Sequence, residues 1–216
     1  MKYKAILFDL DGTLLNTLED LANSMNSVLS SFGFPTHEIE RYKFFVGEGV
    51  EFLAYSALPQ EHRDQKMVSR CMTLMRKAYA KRWAENTRPY EGIPELLDSL
   101  TERGVKMAIL SNKPDEFTQA IVMKFLSHWK FQPVMGAQDA VPKKPDPTAA
   151  LKISKGLGLA PGDFLYLGDT KIDMRTADDA GMYPVGALWG FRTEQELLES
   201  GARALIGYPT LLLDLI

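Results

Sequence analysis

The chain has 216 residues, of which 45% are hydrophobic, and its formal net charge is −3. This length and composition allow a sizeable core and exclude a disordered or fibrous protein. The small charge gives no whole-chain reason to expect binding to nucleic acid or to a membrane. Cys71 is the only cysteine, which excludes an intrachain disulfide and suits a reducing compartment. Because aspartates interrupt the first apolar run, we expect no secretory signal, and the default expectation is a cytoplasmic protein.

Short apolar segments alternate with helical patterns along most of the chain. Strands are predicted at residues 3–8, 105–110, 134–137, 164–167 and 183–187, with a weaker one at 204–206. Helices are predicted at residues 94–102, 115–126, 147–155, 172–180 and 194–199. Such alternation is typical of an α/β protein with a doubly wound parallel sheet and a Rossmann-like core.

Residues 16–88 do not follow this alternation. They show helical patterns without a convincing strand, and they separate the first strand from the rest of the sheet. We therefore predict an α/β core of residues 1–15 and 89–216 and an inserted all-helical cap of residues 16–88. Residues 61–88 contain eight lysines or arginines against three acids. A solvated helix face explains this excess most simply, and a positive lid over an anionic substrate is the alternative.

The segment Asp9-Leu10-Asp11-Gly12-Thr13-Leu14 directly follows the first predicted strand. It places two carboxylates and a glycine where open α/β sheets build their sites, beyond the carboxyl ends of the strands. Such acids can hold a hard cation, and one of them can attack phosphorus. A turn or capping role is the structural alternative. A calcium loop of the EF-hand type is excluded because its glycine would stand at position six, not four.

The second strand is followed by Ser111 and Asn112 and then by Lys113-Pro114, which we expect to open a helix. A hydroxyl, an amide and helix N-terminal amides form a cradle for phosphate. A simple helix N-cap is the alternative for this pair. Lys144 lies in a loop stiffened by nearby prolines, and its ammonium suits phosphate or neighbouring carboxylates. A solvated lysine is the alternative there.

The strand at residues 164–167 is followed by Gly168-Asp169-Thr170, and a further acid, Asp173, stands four residues after Asp169. In a helix that begins at this point, Asp169 and Asp173 would share one face, one turn apart. N-capping by Asp169 is the structural alternative. Each of the four motifs is modest alone, but all of them follow strands of the predicted sheet. Together they supply carboxylates for Mg²⁺, groups for phosphate oxygens and a lysine.

This set of motifs resembles the haloacid dehalogenase-like hydrolase superfamily. The resemblance rests on Asp9-Leu10-Asp11-Gly12-Thr13, Ser111-Asn112, Lys144 and Gly168-Asp169-Thr170 with Asp173. Within the insertion, Val46-Gly47-Glu48-Gly49-Val50 looks like the cap segment of phosphoglycolate phosphatase-like members. The resemblance implies a phosphatase that uses Mg²⁺ and acts on a small phosphorylated metabolite. We further expect a monomer or homodimer and, from the small net charge, no nucleic-acid or membrane partner.

The resemblance also implies a role for each motif residue. Asp9 would be the nucleophile that forms an aspartyl-phosphate, and Asp11 the general acid and then the general base. Mg²⁺ would be bound by the carboxylates of Asp9 and Asp169 and by the backbone carbonyl of Asp11, with Asp173 orienting these ligands. The phosphate group would be bound by Thr13, Ser111, Asn112 and Lys144.

The cap segment Gly47, Glu48 and Gly49 would close over the substrate, and a flexible turn between two helices is the structural alternative for it. Glu48 is a departure from the family, whose members often have a neutral residue there, and a Glu48 that faced the site would disfavour a substrate carboxylate. A phosphomutase of the β-phosphoglucomutase type and a non-catalytic phosphate-sensing protein stay open as alternatives. A dehalogenase is disfavoured by Asp11, because those enzymes typically lack the second acid of the first motif.

Overall fold

A computed structural model describes residues 2–216. Within these described residues eight strands occur in chain order, and we number them β1 (Ala5–Phe8), β2 (Leu15–Asn16), β3 (Arg88–Pro89), β4 (Lys106–Pro114), β5 (Phe131–Ala137), β6 (Phe164–Gly168), β7 (Tyr183–Ala187) and β8 (Ala204–Ile206). The helices are α1 (Leu18–Ser31), α2 (Val50–Ala57), α3 (Gln65–Arg82), α4 (Ile93–Glu102), α5 (Asp115–Phe125), α6 (Thr148–Leu157), α7 (Lys171–Asp179) and α8 (Glu194–Glu199). Short 3₁₀ segments occur at Ile39–Phe44, Gln60–His62, Pro161–Asp163 and Pro209–Leu215.

Six strands form one sheet in the order β5-β4-β1-β6-β7-β8, and every pair in it is parallel. The central strand β1 is fully buried at all four positions. Its side chains alternate between two apolar clusters, with Ile6 and Phe8 in one and Leu7 in the other. This alternation follows from the two-residue period of a strand with helices on both faces. The predicted doubly wound α/β core is confirmed.

The end of β4 corrects one detail of the sequence analysis. Lys113 and Pro114 do not open a helix, because the strand continues through Pro114 and α5 begins at Asp115. Pairing of Pro114 with Ala137 of β5 holds this segment extended. Ser111 and Asn112 therefore lie within the strand, and helix N-terminal amides do not follow them directly.

The segment between β1 and α4 contains helices α1, α2 and α3, and α1 packs against α3. The apolar face of α1 shows the three- and four-residue spacing of an amphipathic helix, with Leu18, Leu21, Met25 and Val28 buried. Strands β2 and β3, which the sequence analysis missed, form a two-residue antiparallel ladder where the chain leaves and re-enters the sheet domain. We propose the division into a core of residues 1–15 and 89–216 and a cap of residues 16–88 on the basis of this closure.

One buried carboxylate fixes the returning end of the cap. Asp20, on α1, accepts hydrogen bonds from the backbone N–H and side-chain amide of Asn86 at 2.9 Å each. It also accepts from the Thr87 backbone N–H at 2.9 Å and from the Thr87 hydroxyl at 2.7 Å. A carboxylate that accepts this many hydrogen bonds is well satisfied although it is buried. Among residues 2–216, no helix is both long and apolar enough to cross a membrane.

Candidate active site

The predicted catalytic residues converge at the carboxyl edge of the sheet, around the end of β1. Asp9 follows β1 directly, and its backbone N–H donates to Leu167 O of the neighbouring strand at 2.9 Å. Lys144 reaches this point from the loop after β5, and its Nζ lies 2.7 Å from Asp9 Oδ1 and 2.6 Å from Asp173 Oδ1. Asp9, Asp173 and Lys144 are all buried. The long-range convergence of these groups follows from the parallel sheet, which brings the ends of β1, β5 and β6 to one edge.

Asp169 is fully buried beside them and is held by two donors. The Thr13 hydroxyl donates to Asp169 Oδ1 at 3.1 Å, and the Phe191 backbone N–H donates to Asp169 Oδ2 at 2.8 Å. Gly12, at φ +91°, packs so closely that an added Cβ would overlap the Asp169 carboxylate. Thr13 does not line the cavity described below. Its predicted contact with phosphate stays a prediction. In the structure the Thr13 hydroxyl orients the Asp169 carboxylate.

The N-terminus of the helix after β6 differs from the one predicted from the sequence. Thr170 is the N-cap residue of α7, and Asp169 precedes it, so Asp169 and Asp173 do not share a helix face. Asp173 instead accepts hydrogen bonds from the Thr170 backbone N–H at 3.0 Å and from the Thr170 hydroxyl at 2.7 Å. Asp173 thus supplies the N3 side-chain half of a capping box and satisfies two donors of Thr170 at the start of the helix. Both carboxylate oxygens of Asp173 therefore have protein partners.

Burial governs the charge state of this cluster. It raises the pKa of Asp9 to about 7, against the lowering effect of Lys144. The pKa of Asp169 is also raised well above its ordinary value, first by burial and then by the neighbouring charges of Asp9 and Asp173. Burial alone would lower the pKa of Lys144, but the carboxylates of Asp173 and Asp9 outweigh it and the pKa is raised. Three buried carboxylates thus lie close together with one ammonium, which pairs with two of them, and the cluster lacks positive charge.

This donor set fits a divalent cation. One oxygen from each of Asp9, Asp169 and Asp173 lies within 4.8 Å of the others. Among residues 2–216, Asp169 contacts only neutral donors, and Asp9 Oδ2 receives no hydrogen bond, so these carboxylates have unused lone pairs. Carboxylate oxygens are the ligands that Mg²⁺ prefers, and a cation would supply the missing charge. Because Asp173 is already occupied by Lys144 and Thr170, it suits the orienting role predicted for it.

Lys113 lies in the site, although the sequence analysis assigned it no role there. Its Nζ lies 2.9 and 2.8 Å from the two carboxylate oxygens of Asp11, and the side chain is only 3% exposed. The same ammonium lies 4.7 Å from the centre of the Tyr79 ring. Burial lowers the pKa of Lys113, but the Asp11 carboxylate more than compensates, so the pKa is raised. Thr17 also donates to Asp11 Oδ1, at 2.7 Å. Asp11 is therefore fixed beside Asp9 by two partners.

Asn112 connects three parts of the site. Its side-chain amide donates to Gly47 O at 3.1 Å and to Lys144 O at 3.0 Å, and its Oδ1 accepts from the Lys144 backbone N–H at 2.9 Å. Both amide hydrogens are thus used to position Lys144 and the cap loop. The Ser111 hydroxyl accepts from the Lys113 backbone N–H at 3.2 Å and keeps its own hydrogen available. In this arrangement Ser111 has a free side-chain donor for phosphate, whereas the Asn112 side chain does not.

The cap loop reaches the site through its glycines. Gly47 and Gly49 line the cavity above Asp9, but Glu48 does not. Glu48 instead forms an ion pair with Lys171 at 3.1 Å, with its side chain 30% exposed. The expected repulsion of a substrate carboxylate by a Glu48 facing the site therefore has no basis in this arrangement. Arg192 donates to the backbone oxygens of Lys43 and Val46 and ties the same loop to the core.

These groups form the floor of a cavity of about 440 Å³ between the sheet edge and the cap. Polar side chains line its base, and side chains of α1, α2, α3 and α5 line the rest. This size falls within the range of roughly 300–1,000 Å³ that is typical of small-molecule sites. The catalytic candidates Asp9, Asp11, Ser111 and Lys144 all line it.

A model of the family described as haloacid dehalogenase-like hydrolase matches residues 6–187. The chain belongs to this family. It is 31% identical over 207 residues to the phosphoglycolate phosphatase of Pseudomonas syringae pv. tomato, which covers 94% of this chain and 76% of the relative. It is also 31% identical over 205 residues to the phosphoglycolate phosphatase of Mannheimia succiniciproducens, with 92% of each chain covered.

A solved structure has the same fold. The crystal structure of a predicted phosphoglycolate phosphatase from Haemophilus somnus superposes with a TM-score of 0.91 at 27% identity, covering 100% of this chain and 98% of that chain. The sequence predicted a haloacid dehalogenase-like hydrolase of the phosphoglycolate phosphatase-like group, and this family assignment is confirmed. The predicted class of activity, a phosphoric monoester hydrolase, is confirmed with it. The metal, the chemical steps, the substrate, the oligomeric state and the cytoplasmic location stay predictions.

Proposed function

We propose that the protein is a Mg²⁺-dependent phosphatase that hydrolyses a small phosphate monoester through an aspartyl-phosphate on Asp9. The observation that supports this most is the buried cluster of Asp9, Asp169 and Asp173, in which a single ammonium, Lys144, pairs with Asp9 and Asp173 and leaves Asp169 without a cationic partner among residues 2–216. Bound Mg²⁺ would supply positive charge for the carboxylates and for the phosphoryl oxygens. Its ligands would be the carboxylates of Asp9 and Asp169 and the backbone carbonyl of Asp11.

The chain's own groups divide the remaining work. Asp9 attacks phosphorus with one carboxylate oxygen, the alcohol of the substrate leaves, and water then cleaves the P–O bond to Asp9. Asp11 gives a proton to the leaving alkoxide and later takes one from the attacking water. Ser111 and Lys144 bind the phosphoryl oxygens, while Asn112 positions Lys144. Because phosphoryl transfer depends mainly on positioning and charge, these fixed contacts are the protein's main contribution.

The proposal is tested with a panel of phosphate monoesters that includes phosphoglycolate, the compound for which the relatives are named. Wild type is assayed with Mg²⁺ and with EDTA beside Asp9→Asn. A matched control is Asp178→Asn, which makes the same change at an exposed acid paired with Arg203. We expect EDTA and Asp9→Asn each to abolish hydrolysis and Asp178→Asn to leave it unchanged. Hydrolysis that survives EDTA would contradict the metal requirement, and full turnover by Asp9→Asn would contradict the nucleophile.

A further inference from the structure

Apolar side chains predominate in the lining of the active-site cavity away from the phosphate site. Six of them come from α1, α2, α3, α5 and the cap loop and are called the apolar wall here, namely Leu21, Val46, Leu53, Met72, Met75 and Phe117. Ser69, Thr73, Arg76 and Tyr79 of α3 also line the cavity. Since the transferred phosphate is bound at the polar base, the alcohol part of the substrate must extend toward this apolar wall.

Every cationic side chain that lines the cavity already has a carboxylate partner. Lys144 is paired with Asp9 and Asp173, and Lys113 is paired with Asp11. Arg76 of α3 forms two hydrogen bonds to Glu116 of α5, at 2.7 and 2.8 Å. The fork of a guanidinium matches a carboxylate in this two-bond geometry. Among residues 2–216, each cation of the cavity lining therefore has a carboxylate partner, so a second anionic group on the substrate would have to displace one or draw on Lys143, whose Nζ lies near Gly49 outside the lining.

The acidic residues near the cap loop do not release a cation that could bind an anionic group of the substrate. Glu48 uses Lys171, which does not line the cavity, and Glu51 lies in the first turn of α2. A carboxylate on the leaving alcohol would lose its water against apolar side chains without gaining a partner, which is unfavourable. An apolar alcohol in the same position would gain from leaving water.

We propose that the substrate is a phosphate monoester of an uncharged, mainly apolar alcohol that packs against this wall. The inference rests on the proposed phosphatase activity and adds the chemical class of the leaving alcohol to it. It also separates this chain in substrate class from relatives that are named for phosphoglycolate.

The test compares two esters of similar shape, phosphoglycolate and isobutyl phosphate, in which an isopropyl group replaces the carboxylate. We expect kcat/KM for isobutyl phosphate to exceed that for phosphoglycolate by about tenfold or more, which is the range by which an added apolar group raises kcat/KM in an apolar pocket. A value for phosphoglycolate equal to or above that for isobutyl phosphate would overturn the proposal. It would indicate that Arg76 leaves Glu116 to bind the substrate.

A variant pair places the cause in the cavity wall. Met72→Lys adds a cation to the apolar lining, and Met72→Gln adds a neutral polar group of similar length. We expect Met72→Lys to shift the preference toward phosphoglycolate by about tenfold, and Met72→Gln to shift it much less. An unchanged preference in Met72→Lys would contradict the assignment of this wall to the leaving alcohol.

Binding separates this proposal from the proposed function. The dissociation constants of both esters are measured by calorimetry on Asp9→Asn in the presence of Mg²⁺, where no turnover is expected. Tighter binding of isobutyl phosphate supports the leaving-group assignment even if wild type hydrolyses neither ester. Tighter binding of phosphoglycolate overturns it. Failure of wild type to hydrolyse every ester of the panel, phosphoglycolate included, would count against the phosphatase activity, whereas the binding comparison on Asp9→Asn tests the leaving alcohol by itself.

Discussion

Replacement of Gly12 by alanine tests how tightly the first motif is packed against the metal-site carboxylate. Gly12 has φ +91°, a conformation that costs an L-residue roughly 1–2 kcal/mol. The new Cβ would also overlap the Asp169 carboxylate and lie 2.8 Å from Phe191 Cδ2. Asp169 is held by Thr13 and Phe191, so it cannot yield freely. Overpacking of this kind adds about 1–3 kcal/mol, which gives a total of about 2–5 kcal/mol.

The matched control is Gly33→Ala. Gly33 has φ +72°, but an added Cβ there meets nothing within 4 Å. Its loss should be only the backbone cost of about 1–2 kcal/mol. Urea denaturation followed by linear extrapolation measures the free energy of unfolding of both variants. We expect Gly12→Ala to lose more stability than Gly33→Ala and to lose phosphatase activity as well. Equal losses, with activity retained in Gly12→Ala, would refute the close packing around Asp169.

Three further changes test other parts of the structure. Asp20→Ala leaves the two buried donors of Thr87 unpaired, and urea denaturation should show a loss of about 2–6 kcal/mol; a loss below about 1 kcal/mol would contradict this. Cys71 is fully buried, and burial raises its pKa to about 11. A disulfide reagent at neutral pH should therefore modify Cys71 slowly in the native protein and rapidly in urea. Fast modification of the native protein would count against this packing. Lys113→Met should lower kcat for a phosphate ester far more than Lys81→Met, an exposed lysine of α3, and equal kinetics would remove Lys113 from the site.

Local sequence patterns were sufficient to predict the parallel sheet and the strand that each motif follows. Strands β7 and β8 and helix α8 have the predicted bounds, because apolar runs and helical periodicity are local properties of the sequence. The same patterns placed Asp9, Lys144 and Asp173 at strand ends, and the parallel sheet then brings them together. The bounds of β4 were wrong since its last residues are polar and are held extended by pairing with β5.

Contacts between distant residues could not be predicted in this way. Lys113 is separated from Asp11 by 102 positions, and nothing in the spacing of either residue indicates the contact. The position of Glu48 is a second example, because its partner Lys171 belongs to the helix after β6 and the pairing depends on how the cap sits on the core. The donors used by Asn112 are a third, since its contacts join two separate loops.

The most direct test of the central claim is detection of the covalent phosphoryl group. Wild type and Asp11→Asn are mixed with a hydrolysed phosphate ester and Mg²⁺ and quenched in acid within one turnover, and the peptides are analysed by mass spectrometry. We expect a phosphoryl group on the peptide that contains Asp9. With p-nitrophenyl phosphate, whose phenolate leaves without a proton, its occupancy should be higher in Asp11→Asn, because the variant then lacks only the general base for hydrolysis. Turnover without any phosphorylated peptide, or with the group on a residue other than Asp9, would contradict it.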